Sequence, residues 1–140
     1  MPEDWNRRLI AEFHAKHGKG IGHFGDRLLL LATTGAKSGR AYLVPLAYHR
    51  DGDRYVVAAS NSGGPRHPDW YRNLLEHPRA TIVVGDEHLD VQATPLPAGP
   101  ERDRLYEAHA ALMPGFRDYV RKTKRVIPVV VLKRVASSRA

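Results

Sequence analysis

The feature that most constrains this 140-residue chain is a series of six short apolar segments: RLLLLAT (27–33), AYLVPLAYHR (41–50), RYVVAAS (54–60), ATIVV (80–84), EHLDVQAT (87–94) and VIPVVVLKRV (126–135). Short strands with short gaps predict an antiparallel barrel or sandwich. Asp51-Gly52-Asp53 and Gly85-Asp86 supply the turns of two hairpins, and Leu89, Val91 and Ala93 alternate with His88, Asp90 and Gln92 as burial on one face requires. Pro45 and Pro128 fall inside strands, where a missing N–H is tolerated only at an edge, an end or a bulge, so the barrel is expected to be split there. The fold class is therefore mainly β (α+β): a six-stranded antiparallel split β-barrel with flanking helices.

Helical spacing of Trp5, Leu9, Ile10 and Phe13 predicts an amphipathic first helix over 3–16, and the glycine-rich HGKGIGHFG (17–25) reads as a flexible connector. A second helix of about ten residues starts at Pro68 and stops before His77-Pro78, with Trp70 and Leu74 on one face. The third starts at Pro100, lines up Leu105, Ala108 and Leu112, and breaks at Met113-Pro114-Gly115; a further turn covers 116–123. The expected organisation is a helix and connector over 1–25, a cofactor-binding barrel over 26–135 and a disordered tail over 136–140.

The chain has no cysteine, which excludes disulfides, thiolate metal sites and thiol nucleophiles. No run approaches a membrane span and the N-terminus lacks a signal-like apolar stretch, so a cytoplasmic location is expected. Lys and Arg number 22 against 15 acidic residues, a net charge of +7 that favours an anionic partner without choosing which. Among eight histidines the one close pair, His14 and His17, has no completing carboxylate, and no metal is expected. Neither Ser38 nor Ser62 lies in G-x-S-x-G, which leaves a hydrolase triad unsupported.

Two glycine loops carry the remaining chemistry. TTGAKSGR (33–40) places Lys37 and Arg40 beside Ser38 and Gly39 between two strands; it lacks the P-loop order, and alone it reads equally as a solvated hairpin tip. In SNSGGPRHPDWY (60–71), Ser60, Asn61 and Ser62 offer hydrogen bonds, Gly63 and Gly64 permit close backbone approach, and a helix follows. By itself this is either an anion cradle or a connector and cap. Tyr48, Met113, Phe116 and Tyr119 could wall a pocket or belong to the core, and KTKR (122–125) reads as a solvated face.

TTGAKSGRAYLVPLAY, DGDRYVVAASNSGGPRHPDWYRNL, HPRATIVVG and IPVVVL, taken in order from about Leu28 to Leu132, resemble the deazaflavin-dependent nitroreductase family. The resemblance implies a split β-barrel that binds coenzyme F420 and passes a hydride to an electron-poor quinone, enone or nitro compound. It implies that Lys37, Ser38 and Gly39, with Pro45 beside them, hold the phosphate and tail. Ser60, Asn61, Ser62, Gly63 and Gly64 match the loop around the deazaflavin, followed by Trp70 and Asn73. Tyr48, Met113, Phe116 and Tyr119 would face the substrate, with Tyr119 the first candidate proton donor and Ser60 the second. The chain departs from the family at Ala36, where a second basic residue is usual, at Asn61, where lysine is common, and at Met113 and Phe116, where some members carry tyrosine.

The expected partner is thus a small redox substrate, with flavin mononucleotide the alternative cofactor. A nucleic-acid module is favoured only by the charge and by KTKR, because no exposed strands interleave aromatic and basic residues. The first helix is expected either to pack on the barrel or a second subunit of a homodimer, or to give a monomer peripheral contact with the inner membrane face.

Overall fold

The computed structural model describes residues 3–135; the tail expected over 136–140 lies outside the described residues. The strands are β1 (Leu28–Thr34), β2 (Ala41–Ala47), β3 (His49–Asp51), β4 (Arg54–Ala58), β5 (Arg79–Val84), β6 (Glu87–Leu96) and β7 (Val129–Arg134). The helices are α1 (Glu3–Ala15), α2 (Asp69–Glu76), α3 (Pro100–Leu112) and α4 (Gly115–Lys122). One sheet runs β2-β1-β5-β6-β7-β4-β3 with every pairing antiparallel.

Seven strands stand where six are expected, because AYLVPLAYHR divides at Tyr48. Before that residue the chain pairs with β1 (Leu28 opposite Ala47), and after it with β4 (His49 opposite Val56). The two outermost strands are therefore consecutive in the chain and meet at the seam of a curled half-barrel. Pro45 sits on edge strand β2, where its missing N–H breaks no ladder, and Pro128 ends up just outside β7. Both two-residue hairpins form, with Asp51 opposite Arg54 and Val84 opposite Glu87.

Alternation sends Leu29, Leu31, Val57, Ile82, Leu89, Val91, Val130 and Leu132 into the barrel, where Trp70 and Leu74 of α2 plug one end. On the outer face of β4 and β7, Val56, Val129 and Val131 bury Leu105, Tyr106 and Ala110 of α3. The face of α3 is rotated from the expected one: His109 is buried in place of Ala108 and Leu112, the latter 47% exposed. On the outer face of β1 and β5, Leu28, Leu30 and Val83 bury Phe13 of α1 and Ile21.

The glycine-rich connector is folded rather than loose. The Gly18 N–H bonds the Phe13 carbonyl (2.9 Å), the Gly20 N–H bonds Asp26 Oδ1 (2.9 Å), and Ile21 bridges Gly25. With Phe13 fully buried and Leu9 and Ile10 packed beside it, the apolar face of α1 is committed to the barrel; Trp5, 44% exposed, alone remains outside. No described helix is long and apolar enough to cross a membrane.

Candidate active site

The first loop is tight. Gly35 bonds Arg40 through its N–H (2.7 Å), and a Cβ on Gly35 would lie 2.5 Å from Ser38 Oγ and 2.7 Å from Tyr42. Ser38 Oγ accepts the Arg40 N–H (3.2 Å) and lies 3.3 Å from the Tyr42 hydroxyl, so this side chain shapes the turn. Gly39 turns with φ +71°. Lys37 and Arg40 extend into solvent, while Pro45 is buried farther along β2. A groove of about 340 Å³ that includes Thr34, Ala41 and Arg79 lies against the base of this loop, on the barrel's flank.

The second loop is unusual in its backbone. Ser60 is right-handed (φ −79°, ψ −31°), followed by Asn61, Ser62 and Gly63 at φ +48°, +53° and +80°. The carbonyls of Ser60 and Asn61 accept the N–H groups of Gly63 and Gly64 (both 2.9 Å), and Asn61 Nδ2 donates to the Arg66 carbonyl (3.1 Å). Among the described residues, the backbone N–H groups of Ser60, Asn61 and Ser62 have no partner. Successive amides passing from right- to left-handed conformation form a concavity whose N–H groups converge on an anion. Asn61 suits that backbone better than the lysine common in the family, since asparagine tolerates left-handed φ.

Two contacts hold this loop. Arg125 donates from Nη2 to the carbonyls of Ala59 (3.2 Å) and Ser60 (2.9 Å), from Nε to that of Gly64 (3.0 Å), and from Nη1 to His67 Nδ1 (2.9 Å). Because arginine only donates, His67 Nδ1 is the unprotonated nitrogen. Desolvation, then the neighbouring Arg125 and Arg72, lowers the His67 pKa; desolvation also lowers that of Arg125. On the other side Gly63 packs beneath α4, where a Cβ would come within 2.9 Å of Lys122 Cβ and 3.2 Å of the Tyr119 carbonyl.

Asn73 ties α2, the helix that follows the second loop, to the first loop. From α2 it accepts the Ala36 N–H through Oδ1 (3.0 Å) and donates to Thr33 Oγ1 through Nδ2 (3.1 Å), so its buried side chain is committed to the first loop. Trp70, one turn earlier, is buried in the barrel core.

The aromatic residues divide between two clusters. Tyr48 lies at the seam with its ring 5.8 Å from Tyr55, and burial raises its pKa. Phe116 and Tyr119, 5.2 Å apart, pack on the outer cluster, with the Tyr106 hydroxyl donating to the Phe116 carbonyl (2.6 Å). Met113, half-buried, ends α3. Lys122 Nζ lies 5.8 Å from the centre of the Tyr119 ring, and the Tyr119 hydroxyl makes no hydrogen bond among the described residues.

The arrangement offers free amides, exposed cations and half-buried aromatics on adjoining elements, which suits a ligand with an anionic group and a flat ring. The model of the F420H(2)-dependent quinone reductase family matches residues 5–134, nearly the whole chain. The chain belongs to this family. The deazaflavin that the resemblance implies is the F420 of the family's description. An F420H(2)-dependent quinone reductase of Mycobacterium tuberculosis is 40% identical over 121 residues, covering 81% of each chain. The solved structure of an F420-H2 dependent reductase superposes with a TM-score of 0.70 at 36% identity, over 76% of this chain and 94% of that one. A structure described as a domain-swapped dimer gives a TM-score of 0.72 at 33% identity, over 95% of this chain and 100% of that one.

For this quinone reductase family member, sequence reasoning missed two sets of residues. Arg125 was hidden in KTKR, which looked like a solvated face. His49 and His109, sixty positions apart, form a buried pair with Nδ1 atoms 2.8 Å apart, and each Nε2 is buried without a partner among the described residues. A helical wheel with its apolar face centred on Leu105, Tyr106 and Ala110 would have found His109; nothing local marks Arg125.

Proposed function

We propose that this chain binds reduced F420 across its two glycine loops and uses it to reduce a quinone. The observation that carries the reading is the set of three amides at Ser60–Ser62 that have no partner among the described residues, in a loop followed by α2, whose Asn73 bonds the loop bearing Lys37. These amides fit a phosphate, and Lys37, Ser38 and Gly39, with Pro45 beyond them, fit the phosphate and carboxylate tail. When bound, reduced F420 supplies a hydride.

The chain's own residues bind, orient and exclude water. Ser60 and Asn61 present N–H groups; Gly63 and Gly64 let the backbone approach; Trp70 closes the barrel end beneath the loop. Phe116 and Tyr119, with Met113 and Tyr48 on neighbouring elements, offer apolar surface to the acceptor. The Tyr119 hydroxyl is the proposed proton donor, and Ser60, 8% exposed, is the alternative at the loop. The structural relative described as a domain-swapped dimer favours a homodimer, to be read by light scattering.

Titration of the protein with F420 and with flavin mononucleotide, followed by offering the reduced complex quinones, enones and nitroaromatics, tests the reading. Tighter F420 binding and preferential quinone turnover are expected. Equal or tighter binding of flavin mononucleotide would refute it.

A further inference from the structure

Arg125 points its guanidinium at the back of the second loop. Three of its four partners are the carbonyls of Ala59, Ser60 and Gly64, which flank the turn on both sides, and the fourth is His67 beyond it. In a planar trans peptide the C=O and the following N–H point in opposite directions. The carbonyl of Ala59 therefore fixes the direction of the Ser60 N–H, and the carbonyl of Ser60 that of the Asn61 N–H. These are two of the three amides that have no partner among the described residues.

We propose that Arg125 is a positioning residue for the anion-binding loop: it grips the carbonyl side of the Ser60 and Asn61 peptide units and thereby aims and polarises their N–H groups toward the ligand, without touching the ligand itself. The inference rests on the reading of this loop as the phosphate cradle of F420. Two further features favour it. Ser62 holds positive φ without being glycine or asparagine, a conformation that persists only where surroundings over-determine it. A cation bonded to a carbonyl also strengthens the donor at the other end of the same peptide. A single flat fork reaching three carbonyls and an imidazole cannot be replaced by a lysine, which carries the charge but not the geometry.

The test compares wild type with Arg125→Lys and Arg125→Gln. The readouts are F420 affinity by fluorescence quenching, the steady-state KM for reduced F420 and for a quinone, thermal melting, and the amide resonances of Ser60 and Asn61 during titration with inorganic phosphate. Loss of charge-assisted hydrogen bonds is expected to raise the F420 Kd in Arg125→Lys roughly 10–100-fold. The quinone KM stays within about two-fold, an allowance for minor repacking. The phosphate-induced shifts at Ser60 and Asn61 should shrink in both variants, and millimolar guanidinium should restore them in Arg125→Gln.

Unchanged F420 affinity and unchanged amide shifts in a folded Arg125→Lys protein would overturn the inference and leave the cradle intact. Loss of the fold in both variants would also overturn it, because Arg125 would then hold the domain rather than the loop. Wild-type amides that ignored both phosphate and F420 would instead refute the underlying reading of the loop.

Discussion

The buried histidine pair makes a quantitative prediction about acid stability. His49 and His109 are 5% and 0% exposed, and a single hydrogen bond between their Nδ1 atoms requires that one donate and the other accept. Their Nε2 atoms have no partner among the described residues, so a proton added to either ring would place a poorly solvated charge between β3 and α3. Phe116 covers the His109 ring, and the charged groups acting on His49 are Asp51, which favours protonation, and Arg104, which opposes it. Burial and then His49 push His109 down to about 3 from its ordinary 6.5, and desolvation lowers His49 as well. Above pH 6.5 both states are neutral and the pair makes no pH-dependent contribution. As pH falls below 6.5 the unfolded chain takes up protons that the folded one refuses, so stability is lost progressively down to about pH 3. Between pH 7 and pH 5, linkage gives about 2 kcal/mol for His109 alone, a fall of roughly 5–8 °C in Tm, with His49 adding in the same direction. Urea unfolding of wild type and of the double variant His49→Val/His109→Leu at the two pH values isolates this contribution, since the other histidines are common to both. The wild type should lose at least about 2 kcal/mol more than the variant. Equal losses would refute the claim that the pair stays neutral in the fold.

Lys37→Ala should weaken F420 binding about ten-fold or more through loss of a charge-assisted contact, with melting unchanged because the side chain is exposed; fluorescence quenching and calorimetry check both. Gly63→Ala should destabilise by roughly 1–3 kcal/mol, since φ is +80° and the new Cβ would sit 2.9 Å from Lys122 Cβ, which urea unfolding measures. Tyr119→Phe should lower kcat about 100-fold or more while leaving F420 affinity and stability intact, because the hydroxyl has no hydrogen-bond partner to lose among the described residues; steady-state kinetics over a quinone series reads the split.

Local rules suffice for some elements. The two hairpins and the limits of α2 could be read from Gly52, Gly85 and Pro68, because turn chemistry and helix starts depend on residues a few positions apart. The division of AYLVPLAYHR could not, because the break at Tyr48 is imposed by closure: β2 must reach β1 while β3 reaches β4. Residues 17–25 read as loose because four glycines disfavour regular structure, yet Gly22–Phe24 form a 3-10 turn, and the segment is held by Asp26 and by burial of Ile21 against β1. The rotation of α3 has the same origin: Ala108 and Leu112 are apolar, but β4 and β7 present their outer valines to Leu105, Tyr106 and Ala110 instead.

The candidate site divides along the same line. Residues that offer a ligand something directly, such as Lys37, Ser60 and the glycines, are legible because donors and small residues cluster in sequence. Residues that hold those in place are distant in the chain: Asn73 braces a loop 37 positions away, and Arg125 grips carbonyls 61 to 66 positions away. This separation bears on how the site tolerates change. Ala36 uses its backbone N–H to bind Asn73, so its side chain plays no part in the tie between the first loop and α2. A cation placed at position 36 should therefore add attraction for an anionic tail without rebuilding the turn, whereas substitution at Asn73 should cost binding although Asn73 is committed to Thr33 and Ala36. On the proposed reading affinity should depend on the bracing as well as on the charges, because the Ala59 and Ser60 carbonyls, on the far side of the peptides that carry the Ser60 and Asn61 amides, are held by Arg125.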